Sequence, residues 1–205
     1  MMWYCGFVVE DGVLDTGAQI SYPKFTTRYG TRISFQRGIW NEASGEYESD
    51  KLKVINMPVL KSHSIYHVTG AVKNYMGVVA NRLTGFRPHN SVGSGGMGSV
   101  MAGTRMPALN IMDMIWVGAN RGPGSTYDSA AEVKAIAASI DPVALDYWAT
   151  KNILLPELTG ANAESSNPDS NLEGSFGHWL KLSAAEIERK GQRASLESEE
   201  ILLIE

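Results

Sequence analysis

The sequence predicts an α/β domain with a mixed or mostly parallel sheet, helices on both of its faces, and three layers in all. Three observations carry that expectation. Two short apolar runs, KVINMPVL at 53–60 and LNIMDMIWV at 109–117, have the length and β-branched content of strands buried on both faces. Segments able to form helices follow them, and alternation of this kind builds sheets covered by helices. The third is a sharp helix start at Asp141 and Pro142. An aspartate in the capping position accepts orphan amide N–H groups, and proline in the first turn has no N–H to lose.

The remaining elements follow in chain order. Residues 7–9 and 31–35 are candidate short strands, and the polar stretch 41–50 reads as a loop. After the first apolar run, 68–83 holds no proline and is rich in apolar residues, so it predicts a helix capped by Thr69 and closed near Gly85. Residues 84–104 are crowded with Gly, Ser, Asn and Pro and read as a loop too polar and too flexible for the core. GANRGPGST, after the second run, is another loop. Residues 129–138 read as either a short helix or the approach to a strand. The Asp141 helix is expected to reach about Leu155 and stop before Pro156. A polar loop at 160–176, a last helix at 183–190 and a last strand at 200–205 complete the chain. At 205 residues it forms one domain, 1–205.

Composition narrows the function. The formal net charge is −4, which argues against a nucleic-acid partner, since such partners draw on a basic face. No run of about 18 apolar residues is present, so no membrane-spanning helix is expected. The opening MMWYCGFVVEDG lacks the basic and small-residue features of a secretory leader, which points to the cytoplasm. The single cysteine, Cys5, cannot close an internal disulfide or ligate an iron–sulfur cluster by itself, and it reads as a buried small hydrophobe.

Candidate chemistry gathers after the first apolar run. Lys61 and His63 follow it directly, and ligands of open α/β sheets bind outside the carboxyl ends of strands. Lys73 and Asn74 lie in the first turns of the expected helix, beside Thr69. Together these groups would bind a carboxylate or phosphate, with His63 as an acid or base near neutral pH. The residues alone leave an alternative open, with both lysines solvated and Asn74 capping a loop. His63 and His67 have the spacing of a helical metal pair, but Thr69 and Gly70 start the helix after them. His89, with Arg87, would contribute from the 84–104 loop if it closed over the site. Asp113 interrupts an apolar strand, Asp141 is a cap first, and Asp146, on the next helical turn beside Tyr147 and Trp148, is expected to line the ligand pocket, with facing water as the alternative. If Asp113 and Asp141 met across strand ends, they would hold a divalent metal ion. GSGGMG at 93–98 matches a dinucleotide-binding pattern, but no strand precedes it. Ser62 lacks the surroundings of a nucleophile elbow.

NMPVLKSH at 56–63 with VTGAVKNYMG at 68–77, then LNIMD at 109–113 and ASIDPVALD at 138–146, resemble in this order the domain of unknown function 362 family. The resemblance covers residues 50–205. It implies an α/β fold and makes Lys61, His63, Lys73 and Asn74 a ligand site. Relatives usually carry a further N-terminal α/β portion, so the chain reads as N-terminally shortened. Many also carry a four-cysteine ferredoxin-like segment, which one cysteine cannot supply. The expected function is an enzyme-like domain binding a small anionic ligand, with room for a divalent metal, acting on a small organic acid. A non-catalytic ligand-binding or scaffold module is the alternative.

Overall fold

The computed structural model describes residues 5–119, 130–196 and 201–204. The opening tetrapeptide, the side chain of Cys5 and most of the GANRGPGST loop lie outside the described residues. The chain builds two sheets and one layer of helices. The N-terminal sheet is an antiparallel meander of β1 (Cys5–Val9), β2 (Ser21–Thr26), β3 (Arg32–Ser34), β4 (Gly38–Asn41) and β5 (Glu46–Glu48), paired in sequence order. Strand β5 and the last residue of β4 fall in the 41–50 stretch expected to be a loop, and β2 was not anticipated.

The second sheet is mixed. It contains β6 (Ile55–Asn56), β7 (Val59–His63), β8 (His67–Thr69), β9 (Leu109–Gly118), β10 (Ala130–Ser139) and β11 (Leu202–Ile204), in the order β11-β10-β9-β7-β8 with β6 also beside β9. Strands β6 and β7 run parallel to β9; β8, β10 and β11 pair antiparallel to their neighbours. The described part of the ambiguous 129–138 stretch, from Ala130 on, is a strand.

The helices are α1 (Ala71–Asn74), α2 (Arg87–Asn90), α3 (Gly96–Thr104), α4 (Pro142–Ala149), α5 (Ala161–Ser166) and α6 (Phe176–Arg189). Asp141 caps α4 as expected, its Oδ1 accepting from the amides of Val143 at 2.8 Å and Ala144 at 3.0 Å. After α4 the chain continues through a π-turn, Thr150–Leu154, into a 3₁₀ turn holding Pro156. The expected helix at 68–83 shrinks to α1 and a 3₁₀ turn, Tyr75–Gly77. Val68 and Thr69 are claimed by β8, and the Val, Asn and Gly that follow are weak helix formers.

The 84–104 stretch is the largest departure. It holds the nine-residue helix α3, buried along most of its length. Its glycines serve packing. A Cβ on Gly98 would stand 2.1 Å from the Ser183 carbonyl oxygen, and one on Gly95 2.8 Å from the Leu182 backbone, so α6 lies directly against them. Tertiary burial outweighs poor intrinsic helix propensity here.

Helix α6 starts at Phe176, earlier than expected, where the Ser175 hydroxyl accepts from the amide of His178 at 3.3 Å. Met97, Val100, Met101, Met112, Met114, Leu145, Phe176, Trp179, Leu180 and Ile187 form the core between helices and sheet. Each such side chain contributes roughly 2 kcal/mol by burial.

The expected helices on both faces of this sheet are not found among the described residues. Asn110, Met112, Met114, Ala135, Ala137 and Ser139 alternate onto the buried face. The opposite face leaves Met57 69%, Leu202 61% and Ile204 58% exposed. Arg105, just after α3, ties the meander and the segment after it to the helices. Its guanidinium donates to the carbonyls of Phe35, Gln36, Ser49 and Leu52 and to the Ser49 hydroxyl.

Candidate functional site

Strand β7 runs on to His63, so Lys61 and His63 belong to the strand rather than follow it. Lys61 sits opposite Thr69 and His63 opposite His67 across the β7–β8 hairpin. The two histidines thus meet as a cross-strand pair, not on a helix. Cross-strand partners have Cβ atoms about 5 Å apart, close enough to share one patch.

The three-residue turn of this hairpin orients His63. Its Nδ1 accepts from the amides of Ile65 and Tyr66, both at 3.1 Å. The ring proton is therefore on Nε2, which is left as a donor. Burial, then the charges of Lys73, His89, Lys61 and His67, lower its pKa to about 4. His63 is neutral near pH 7 and has no lone pair to spare. In this form it presents its Nε2–H as a hydrogen-bond donor. Burial also lowers the pKa of His67, against a hydrogen bond to the Gly174 backbone that raises it.

Tyr66 is the hub of the cluster, and sequence reasoning passed over it. Its hydroxyl donates to the His89 carbonyl at 2.7 Å, and its own carbonyl accepts from Trp179 Nε1 at 3.0 Å. Its ring lies 5.6 Å from that of His63 and 5.3 Å from that of His89, centroid to centroid. The one sequence signal was an aromatic residue between two histidines, HSIYH at 63–67. The ring also keeps His63 and His89 apart. Among the described residues no group of three His, Cys, Asp or Glu could hold a metal.

Lys73 completes the cluster from α1. It is buried, and its Nζ lies 5.8 Å from the Tyr66 ring centroid, within cation–π range. Burial and then the charge of Lys61 lower its pKa to about 8. Thr69 Oγ1, across from Lys61, is buried with no hydrogen-bond partner among the described residues. The fold therefore brings together Lys61, His63, His67, Thr69, Lys73 and His89. Arg87 stays outside, on the rim of a shallow hollow with Thr16 and Ser94.

The other candidate residues lie elsewhere. Asn74 donates to Asn56 Oδ1 at 2.7 Å; Asn56 donates to Asn110 Oδ1 at 3.0 Å; Asn110 donates to the Ser139 carbonyl at 3.1 Å. This amide ladder cross-links α1, β6, β9 and the end of β10. Asp146 is fully buried, and its carboxylate accepts from the amides of Ala71 and Val72 at the start of α1. Burial pushes its pKa up to about 7, with the two amides pulling the other way and Asp141 adding to the rise. It supports the site from beneath.

Asp113 and Asp141 are not brought together. Asp113 lies opposite Ile136, whereas Ser139 lies opposite Asn110. At roughly 3.3 Å per residue, Asp113 is about 10 Å along β9 from the end where Asp141 opens its helix. Asp141 is further committed through Oδ2, which accepts from the Ser195 amide at 2.7 Å. Asp113 Oδ1 accepts from the Ile115 amide at 2.9 Å.

Fold and site together define an α/β protein with a basic, partly buried cluster on the edge hairpin of its mixed sheet. The family model described as Domain of unknown function (DUF362) matches residues 41–151, and the chain belongs to that family. No curated protein and no solved structure matches it.

Proposed function

We propose that the β7–β8 hairpin with α1 binds a small anionic ligand, and that the domain acts on a small organic acid. One observation carries the reading: Lys61 and Lys73 converge with three histidines, and the charges bearing on His63 and Lys73 are all basic. Such a cluster is electrostatically costly until an anion neutralises it. Lys61 and Lys73 supply charge, the His63 Nε2–H a neutral donor, and Thr69 an unspent hydroxyl. Lys73, its pKa lowered to about 8 by burial and then by the charge of Lys61, changes protonation close to neutral pH. No helix among the described residues is long and apolar enough to cross a membrane. The reading needs no metal held by Asp113 and Asp141.

Calorimetric titration with inorganic phosphate and with small mono- and dicarboxylates at low salt tests it. Saturable binding that weakens about tenfold or more in Lys61→Ala and in Lys73→Met, each removing a charged partner, is the expected result. Unchanged affinity in both folded variants overturns it.

A second reading, a non-catalytic binding or scaffold module, draws on the uncovered apolar face of the mixed sheet. Sedimentation analysis distinguishes it. A module using that face associates in a concentration-dependent way, and Met57→Glu abolishes the association.

A further inference from the structure

Lysine is rarely buried unless it is paired with an acid. Lys73 is buried, makes no salt bridge among the described residues, and lies instead near a second lysine and over an aromatic ring. An amine placed in an apolar setting beside another cation is a nucleophile in the making, because both effects favour its neutral form. Asp146 and Gly70 fix the helix start two to three residues before it, so its backbone is held rather than free to swing toward solvent.

We propose that Lys73 forms an imine with the carbonyl carbon of a small oxo acid whose carboxylate is drawn by Lys61 and the His63 Nε2–H. The inference rests on the anion-binding reading and narrows its substrate class to carbonyl acids. The neutral amine attacks the carbonyl carbon, forming a C–N bond while the C=O π pair moves to oxygen. One amine proton passes to that oxygen and one proton comes from solvent. The oxygen then leaves as water, and the nitrogen lone pair forms the C=N bond of a protonated imine. Amine, ketone and one proton give iminium and water, with no change of oxidation state.

The lowered pKa of Lys73, about 8, leaves a usable fraction of neutral amine at physiological pH.

The test is reductive trapping. The full chain is incubated with pyruvate and sodium borohydride, then read by intact mass and peptide mapping. The expected result is one dominant adduct, on the peptide carrying Lys73, forming at least about tenfold faster than on any exposed lysine, as a desolvated amine should. It is absent in Lys73→Arg, whose guanidinium keeps the charge but has no amine to form an imine. Inorganic phosphate suppresses the wild-type adduct in proportion to its occupancy, a readout that needs no variant. Adducts spread evenly over surface lysines, or trapping undiminished in Lys73→Arg, overturn the imine. Phosphate binding without any adduct overturns the imine alone, whereas no phosphate binding overturns the anion reading beneath it.

Discussion

Asp146 holds the opening of a helix that begins 75 residues before it in the chain. One carboxylate oxygen takes the amide of Ala71 and the other takes that of Val72, the latter at 2.9 Å. Helix α1 has no side-chain cap of its own, so this borrowed one fixes where Lys73 stands. Gly70 makes the approach possible: a Cβ there would lie 2.2 Å from Asp146 Oδ1. Asp146→Ala strands two buried amides and is expected to cost about 2 kcal/mol in urea unfolding. Gly70→Ala is expected to destabilise to a similar degree by forcing the carboxylate out, and both variants should weaken phosphate binding although neither residue touches the anion.

His63 sets the acid limb of stability. Its folded pKa is about 4 against an ordinary value of 6.5. Between those values the unfolded chain takes up a proton that the folded chain refuses. Stability is therefore full above about 6.5 and falls as pH drops toward 4. Urea midpoints measured from pH 7 to pH 4 should fall with a slope that is reduced in His63→Asn. An unchanged slope in that variant would remove His63 from the acid response.

Lys73 governs the alkaline side of binding. Its pKa of about 8 means that it loses its charge as pH rises through that value. Phosphate affinity measured by calorimetry should decline across pH 7–9.5, and Lys73→Met should remove the step. Imine trapping should move in the opposite sense, rising toward about pH 8 as neutral amine accumulates.

Arg105 is the bolt between the meander and the rest. Its donors reach four carbonyls and one hydroxyl at 2.7 to 3.1 Å. Arg105→Lys keeps the charge but loses the planar fork. It is expected to cost about 1–2 kcal/mol, through part-buried carbonyls left without donors. Hydrogen exchange should show lost protection in β3–β5 while β9 and β10 keep theirs.

Local signals were legible where local chemistry decides. Asp141 and Pro142 announced the start of α4, the run at 109–117 announced β9, and Leu202–Ile204 fell inside the expected last strand. Lys61, His63, Thr69, Lys73 and His89 lie near one another, gathered by a hairpin that the sequence did not announce. What escaped depends on distant partners. Helix α3 is written in glycine and serine because α6 presses on it. Asp146 and Asn74 looked like ligands because the groups that occupy them, the α1 amides and Asn56, are remote in sequence. Tyr66 gave no periodic signal, since a residue in a turn belongs to no face. The side of the mixed sheet left exposed among the described residues was hidden because alternating apolar residues look alike whether or not a second layer covers them.

Tyr66 is held by Trp179, 113 residues further along, and by His89, 23 residues along. The turn that orients His63 is thus secured by two anchors later in the chain, and the more distant one is in α6. On a ribosome, Lys61, His63 and Lys73 emerge early, yet the clamp that arranges them does not exist until α6 has been made and docked. Long-range closure of this kind is slow and comes late. The chain accordingly carries its basic groups through synthesis in an unassembled form, and their arrangement is completed by α6 rather than by the residues of the cluster themselves.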